Sequence, residues 1–323
     1  MKRTIYLLMA VVLLATIYWL CNTQQDEDRS SILADFAISN LSNVQKVVIA
    51  SDQYRDIELT RRGDEWYLQD GHLARKNAIK NLTEVLTGLK IKYLPPAAAY
   101  QNVAQEMESI AVEVNIYDAK DALLQSYLIG GSVADERGTY MKPADGDRLY
   151  VMHLPTLEGS VRGRYLHSYD DWRDRTIIDV RYEDIKSVEV NYPRQTAESY
   201  TINRSGVTNA IGQKINPTQK IEAYLNSFEG IAAESFENNN ANQDSIRQLL
   251  PFCVLKISRV DNQEMVIDLF PVENYVDQAL ITLENTPRIS RYFADTSWGD
   301  LMLVQQRVIG RLLRGYSYFA ADE

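Results

Sequence analysis

Short segments in which apolar and polar residues alternate recur along most of the chain. One spans Val44–Ile49, and two more, Ala111–Tyr117 and Leu123–Ile129, are separated by a polar turn. Alternation with a period of two residues is typical of antiparallel strands that bury one face against a core. The pattern therefore predicts a body made mainly of antiparallel sheet, with a hairpin over residues 111–129.

Two segments between the predicted strands instead carry apolar residues at helical spacing. Their apolar positions are Ile79, Leu82, Leu86 and Leu89 in the first, and Ile221, Leu225, Phe228 and Ile231 in the second. Residues three or four apart share one face of a helix, so each segment predicts a helix that covers a sheet. Residues 155–163 and 298–313 are predicted as two further helices, and the glycine pair at 130–131 as a tight turn.

The predicted elements occur twice in the same order. The strand Val44–Ile49 resembles Ile185–Val190, and the first hairpin resembles one over residues 253–270. A repeated series of elements indicates duplication of one structural unit. The predicted fold class is α+β, with tandem duplicated units of mainly antiparallel sheet and covering helices. The first repeat is assigned to residues 43–175 and the second to residues 176–323.

The N-terminal segment differs in character from the rest of the chain. Two basic residues precede an apolar run, Thr4–Cys21, and three acidic residues, Asp26–Asp28, follow it. A helix over this run would span about 27 Å at about 1.5 Å per residue, which matches a thin bilayer. The charges orient the N-terminus toward the cytoplasm. We predict one transmembrane signal anchor over residues 1–21, a polar tether over residues 22–42, and a periplasmic body on a bacterial inner membrane.

Three interpretations of this segment stay open on sequence alone. They are an uncleaved signal anchor, a cleaved secretory signal, and the leader of a lipoprotein that is anchored through Cys21. The apolar run does not end in the pair of small residues that signal cleavage uses, which disfavours cleavage. A small residue normally precedes a lipidated cysteine, whereas this chain has Leu20. The signal anchor is therefore preferred, and Cys21 is kept as a candidate lipidation site.

Composition and charge exclude some classes of protein. The chain is 45% hydrophobic and 24% charged, which is ordinary for a folded protein. Its net charge of −10 disfavours nucleic acid as a partner, because affinity for phosphate backbones depends on Lys and Arg. The nearest approaches to a basic patch, Arg61–Arg62 and the set Arg307, Arg311 and Arg314, are interpreted as solvated faces. Cys253, inside an apolar strand, is interpreted as buried.

Candidate chemistry concentrates in a charged run near the end of the first repeat. The sequence lacks the spacings typical of metal sites, nucleophiles and phosphate loops, so no enzyme, metal or cofactor is predicted. In the run, Asp170 and Asp174 flank Trp172, with arginines between them. We interpret it as a connector whose Trp172 contacts a partner or packs between the repeats. The alternative is an envelope hydrolase or solute-binding site at residues 167–174, using His167 with the two carboxylates, or a site between the repeats.

Several short motifs resemble a known family. They are Asp64–Leu68 with its Trp66, Gly138–Met141, Leu149–Met152, and Trp172–Thr176 before a new strand. With the N-terminal anchor, they are similar to the bacterial domain-of-unknown-function family 4340. This resemblance implies an anchored envelope protein, often encoded beside ABC transport systems of the gliding-motility auxiliary type. It implies no reaction.

We therefore expect a membrane-anchored extracytoplasmic accessory or scaffold protein. It is a candidate auxiliary component of an ABC transport system that acts by binding other envelope proteins, such as the transporter permease. The anchor confines the body to the membrane plane and raises its effective concentration for weak partners. No catalytic, cofactor-binding or metal-binding residue is expected.

Overall fold

The computed structural model describes residues 36–52, 54–272, 282–284 and 289–321. The chain divides into two compact units, with the division between Asp174 and Arg175. The predicted anchor, including Cys21, and the tether as far as residue 35 lie outside the described residues. Within the described part of the chain, no helix combines the length and the apolar composition that a membrane span requires.

The first unit is one eight-stranded sheet with three α-helices among its described residues. The strands are β1 (Lys46–Ser51), β2 (Tyr54–Arg62), β3 (Glu65–Leu68), β4 (Lys90–Tyr93), β5 (Val112–Tyr117), β6 (Leu123–Ser132), β7 (Thr139–Pro143) and β8 (Tyr150–His153). The helices are α1 (Lys76–Gly88), α2 (Ala97–Ile110) and α3 (Tyr169–Trp172). The order across the sheet is β3-β2-β1-β5-β6-β7-β8-β4. Each neighbouring pair is antiparallel.

The two faces of this sheet bury different amounts of apolar surface. The main core lies on one face, where alternate residues of β5 pack with the buried side of α1, including Leu82 and Leu86. A smaller cluster of Val103, Met107 and Leu149 joins α2 to the opposite face. The predicted hairpin over residues 111–129 and the predicted helix α1 are confirmed. Helix α2 was not predicted.

The second unit contains a nine-stranded sheet and a separate two-stranded one. Its strands are β9 (Thr176–Ile178), β10 (Ile185–Asn191), β11 (Tyr200–Asn203), β12 (Gly206–Asn209), β13 (Lys214–Ile215), β14 (Ile231–Ala232), β15 (Ser235–Phe236), β16 (Cys253–Arg259), β17 (Glu264–Pro271), β18 (Arg291–Thr296) and β19 (Leu301–Gln305). Its described helices are α4 (Thr218–Leu225), α5 (Gln243–Arg247), α6 (Gln306–Ile309) and α7 (Tyr316–Ala320). The main sheet runs β13-β12-β11-β10-β16-β17-β18-β19-β15, and β14 pairs with β9.

This second sheet also has a large and a small apolar face. Cys253 and alternate residues of β16 are buried in the main cluster with Ile221 and Leu225 of α4. Phe270 and Phe293 lie in a smaller cluster with Ile246 of α5. The interpretation of Cys253 as a buried residue is confirmed. The mixed α+β class with mainly antiparallel sheet is likewise confirmed.

Two predicted helices are wrong. Residues 155–161 form turns and bends, because Gly159 adopts a φ of 128° that no helix contains, and only a single 3-10 turn follows at Arg162–Arg164. Over residues 298–313, a turn at Gly299 with a φ of 97° leads into β19, and helix α6 covers only Gln306–Ile309. The helix predicted up to Ile231 is too long, since α4 ends at Leu225 and Ile231 belongs to β14.

The predicted tether also extends too far along the chain. Phe36 is fully buried in the main core of the first unit, where its ring contacts Tyr127 and Tyr150. The Ile38 amide donates a hydrogen bond to the Leu86 carbonyl oxygen at 2.7 Å. Burial of the Phe36 ring removes apolar surface from water, and the resulting gain in free energy favours a packed position over a solvated linker. The segment from Phe36 onward is therefore part of the first unit.

The glycine pair at residues 130–131 lies inside strand β6 and does not form the predicted turn. A Cβ atom at Gly130 would lie 2.7 Å from Met107 Cγ, and one at Gly131 would lie 2.8 Å from Glu106 Oε1. Both distances are shorter than van der Waals contact. The glycines therefore allow helix α2 to approach the sheet closely.

Gly130→Val tests this close approach. The added side chain collides with Met107, so we expect the free energy of unfolding to fall by about 1–3 kcal/mol. Urea unfolding followed by tryptophan fluorescence measures the loss, because Trp66 and Trp172 are both buried in the first unit. The control Gly163→Val places its Cβ where no atom lies within 4 Å and is expected to change stability by less than about 0.5 kcal/mol. Equal losses in the two variants would contradict the packing role.

Candidate functional site

The charged run identified in the sequence forms the last segment of the first unit. Ser168 begins helix α3, and its hydroxyl oxygen accepts a hydrogen bond from the Asp171 amide at 3.2 Å. The same hydroxyl donates to Asp171 Oδ2 at 2.7 Å. A serine in this position is a favoured start for a helix. The short helix turns Trp172 inward, where its side chain is 0% exposed.

Backbone hydrogen bonds fix this segment beside the start of helix α1. The Arg75 amide donates to the Trp172 carbonyl oxygen at 2.7 Å, and the Asp174 amide donates to the Leu73 carbonyl oxygen at 2.8 Å. Trp172 belongs to the main core of the first unit. The indole therefore packs against other buried residues of the first unit. Contact of this segment with a partner or with the second repeat stays a prediction.

A tyrosine and a carboxylate join the segment to the turn after β3. The Tyr169 hydroxyl donates a hydrogen bond to Asp70 Oδ2, and the Arg55 guanidinium lies 4.7 Å from the centre of the Tyr169 ring. Burial alone would raise the pKa of the Asp70 carboxyl, but the Tyr169 hydrogen bond and the charge of His72 lower it overall. Burial, and then the bond to Asp70, raise the pKa of Tyr169.

Arg173 makes two further polar contacts. Its side chain is largely buried, and its Nη1 atom lies 3.9 Å from Asp170 Oδ1. Its Nη2 atom lies 3.5 Å from His72 Nδ1. The His167 ring packs edge-on against Trp172, with 5.3 Å between ring centres. The structure thus brings His167 to Trp172 and Arg173 to Asp170.

The contacts of Tyr169 with Asp70 and of Arg173 with His72 attach helix α3 and the residue after it to the turn that follows β3. Asp70, with its lowered pKa, is a carboxylate near neutral pH, and Tyr169, with its raised pKa, keeps its proton. General acid–base catalysis favours groups whose pKa lies near the working pH. The pKa of Asp70 is shifted below that range and the pKa of Tyr169 above it. No group of three or more His, Cys, Asp or Glu side chains in the described chain is arranged to hold a metal. The hydrolase hypothesis stays a prediction.

An open groove on the first unit is a second candidate site, which the sequence analysis missed. It has a volume of about 720 Å³ and lies between the start of β6 and the loop from β7 to β8. Leu123 and Leu124 line it with exposures of 56% and 38%. Arg148 and Tyr150 line its other part, with the guanidinium 5.7 Å from the ring centre. The signal in the sequence is the adjacent leucine pair, because an alternating strand cannot bury both members on one face.

Comparison with known proteins gives one result. A family model described as a domain of unknown function, DUF4340, matches residues 66–249. This match covers more than half of the 323 residues and begins at Trp66 in β3. No curated protein and no solved structure matches the chain.

Tyr169→Phe tests the link to Asp70. Removing the hydroxyl group is expected to lower the free energy of unfolding at pH 7 by about 0.5–1.5 kcal/mol. The lowered pKa of Asp70 stabilises the fold above its ordinary value of 3.8, and this contribution is lost as pH falls through the folded value. The raised pKa of Tyr169 stabilises the fold below its ordinary value of 10.0, and this contribution is lost as pH rises through the folded value. The difference in free energy of unfolding between wild type and variant should therefore be largest at pH values between 3.8 and 10.0.

Urea unfolding at a series of pH values measures this difference. The matched control is Tyr67→Phe, because the Tyr67 hydroxyl donates to Glu65 at 2.8 Å, only two residues away. The control removes the same type of bond without joining distant parts of the chain, so its effect is expected to be below about 0.5 kcal/mol. A Tyr169→Phe effect that does not depend on pH would show that the bond to Asp70 is not its source.

Proposed function

We propose, from the premise that this chain belongs to the DUF4340 family of domains of unknown function, that it is a membrane-anchored extracytoplasmic accessory protein. It acts by binding other envelope proteins and serves as an auxiliary component of an ABC transport system. The observation that carries the proposal is the apolar run Thr4–Cys21, with basic residues before it and acidic residues after it. That arrangement is typical of a single span whose C-terminal side faces outward.

The short distance along the chain between the apolar run and the first unit supports an anchored arrangement. Phe36 is fully buried in the first unit. The 14 residues between Cys21 and Phe36 could reach at most about 50 Å, at about 3.5 Å per residue. A body held that close to a membrane meets membrane partners at a high effective concentration. Weak binding sites are then sufficient for function.

We also propose that the two units arose by duplication. One side of the sheet is formed by β1–β3 in the first unit and by β10–β13 in the second, and in each unit the earliest of these strands, β1 or β10, is the innermost. The four strands β5–β8, or β16–β19, follow in order, and β4 or β15 completes the far edge. Each unit also has a large core that includes the buried side of one long helix, α1 or α4, and a small cluster under another helix, α2 or α5, on the opposite face. Equivalent order in two sheets of this size supports a common origin.

The groove at Leu123 and Leu124 is the proposed partner surface. Apolar side chains in an open groove gain free energy when a partner removes them from water. Arg148 and Tyr150 add a cation and an aromatic ring, which are residue types enriched at protein interfaces. The proposed occupant is a periplasmic loop of a transporter permease.

Leu13→Arg combined with Leu14→Arg tests the anchor. A charged residue at the centre of a spanning helix costs about 2.5–3.5 kcal/mol, so the double variant is expected to leave the membrane fraction. Cell fractionation measures the loss, and a C-terminal reporter that is active only outside the cytoplasm measures sidedness. The control Gln24→Arg with Gln25→Arg adds the same charge beyond the span and is expected to stay membrane-bound.

Cys21→Ser separates the two kinds of anchor. A signal anchor does not depend on this side chain, so the variant is expected to remain in the membrane with an unmodified intact mass. Release of Cys21→Ser, together with lipid mass on the wild-type chain, would establish the lipoprotein alternative instead. If the C-terminal reporter on the wild-type chain is inactive, the body lies in the cytoplasm and the proposal is refuted.

A photo-crosslinking residue at Leu124 tests the partner surface. In intact cells we expect it to crosslink to a polytopic membrane subunit of an ABC transporter, identified by mass spectrometry. The control position is Val260, which is 55% exposed in the turn between β16 and β17 and lies outside the groove. If Val260 crosslinks to the same subunit equally well, or Leu124 to no such subunit, the groove is not the binding surface.

A further inference from the structure

An open groove on the second unit is lined by arginines. It has a volume of about 710 Å³ and lies between the start of β18 and the segment that contains α6. The lining residues are Ile289, Ser290, Arg291, Gln305, Gln306, Arg307, Gly310, Arg311 and Arg314. We call this feature the arginine groove. Four of these described residues are arginines and none carries a carboxylate, so the lining is positively charged.

Three of the arginines are positioned by uncharged groups. The Arg311 Nη2 atom donates to the Glu229 backbone carbonyl oxygen at 2.6 Å. The Arg307 Nε atom donates to the Gln305 side-chain oxygen. The Arg314 guanidinium lies 5.1 Å from the centre of the Tyr318 ring. These contacts orient each guanidinium without neutralising its charge.

The fourth arginine is compensated. Arg291 binds Glu234 through two nitrogen atoms, at 2.7 Å and 3.2 Å. Hydrogen bonding to Arg291 lowers the pKa of Glu234, so this pair stays ionised near neutral pH. The pair contributes no net charge to the groove. The charge available to a ligand therefore comes from Arg307, Arg311 and Arg314.

The arrangement favours a ligand with phosphate groups. A guanidinium offers several N–H donors in a planar fork that matches two oxygens of a phosphate. The groove is open and much larger than one phosphate ion, which fits several headgroups at a surface better than a single enclosed anion. Positive side chains near an anionic bilayer are attracted to it over about one Debye length.

We propose that the arginine groove binds the phosphate groups of anionic phospholipid headgroups. Charge complementarity carries the inference: Arg307, Arg311 and Arg314 form no ion pair with any described residue, and the bilayer is anionic. It rests on the proposed function, because the anchor is what brings the body to the membrane surface. The sequence interpretation of these arginines as solvated faces is replaced by that of one binding surface.

The test uses the full chain purified in a non-ionic detergent. Phosphatidylglycerol, phosphatidylcholine or inorganic phosphate is added, and native mass spectrometry gives apparent dissociation constants. The test variant combines Arg307→Gln, Arg311→Gln and Arg314→Gln. The control variant combines Arg62→Gln, Arg137→Gln and Arg194→Gln, which are exposed positions that lose the same charge outside the groove.

The wild-type chain is expected to bind phosphatidylglycerol at least tenfold more tightly than phosphatidylcholine. The groove variant is expected to lose on the order of a hundredfold in affinity for phosphatidylglycerol, at about fivefold for each arginine. The control variant is expected to match wild type. Replacement of the same three groove arginines by lysine keeps the charge but removes the planar fork, so it is expected to lose less affinity than the glutamine variant and more than the control variant.

Three results would overturn the inference. They are equal binding of the two lipids, equal losses in the groove and control variants, and binding of inorganic phosphate that depends on the groove without binding of phosphatidylglycerol. The last result would assign the groove to a free anion. The measurement is made in detergent, so it does not depend on which side of a membrane the body occupies. A failed topology experiment and a failed groove experiment are therefore distinguishable.

Discussion

Each unit depends on one constraint, which is that alternate side chains of an antiparallel strand must lie on opposite faces of its sheet. In β6, Tyr127 and Ile129 enter the main core, while Leu128 between them contacts the cluster under α2. A sheet with apolar residues on both faces needs a helix or loop packed against each face to shield them from water. The glycines at 130–131 follow from this need, because they let α2 approach β6 closely.

The same constraint explains which elements could be predicted from the sequence. Hairpins such as β5–β6 have a strong period of two, and α1 has a full apolar stripe, so local pattern was sufficient. Helix α2 buries only Val103 and Met107, and its pattern is too sparse to predict it. In residues 298–313, Leu301 and Val304 fit a helix as well as a strand. Pairing of β19 with β18, which lies earlier in the chain, decides the outcome.

The candidate sites, too, have some features that neighbouring residues predict and others that depend on residues far apart in the chain. The cluster around Trp172 was visible in the sequence because its residues are neighbours. Its role in attachment was not, because Asp70 lies 99 residues before Tyr169 and only the fold brings them together. The leucine pair at 123–124 did carry a local signal. For the arginine groove, Arg307, Arg311 and Arg314 are near one another in the sequence. Only the fold brings Arg291 of β18, and the uncharged groups that position the other guanidiniums, to the same place.

Net charge and local charge act over different distances, and this difference connects the proposed anchor with the arginine groove. A chain of net charge −10 is repelled as a whole by an anionic surface. At physiological salt this repulsion is screened beyond about 8 Å, whereas the arginines act on groups within that distance. An unanchored body would seldom reach such contact. A tether that holds the body near the bilayer removes the entropic cost of each encounter, so a weak positive groove can be occupied on an acidic protein. In the proposed arrangement, the anchor would bring the body close to the bilayer, and the arginine groove would orient the second unit against it.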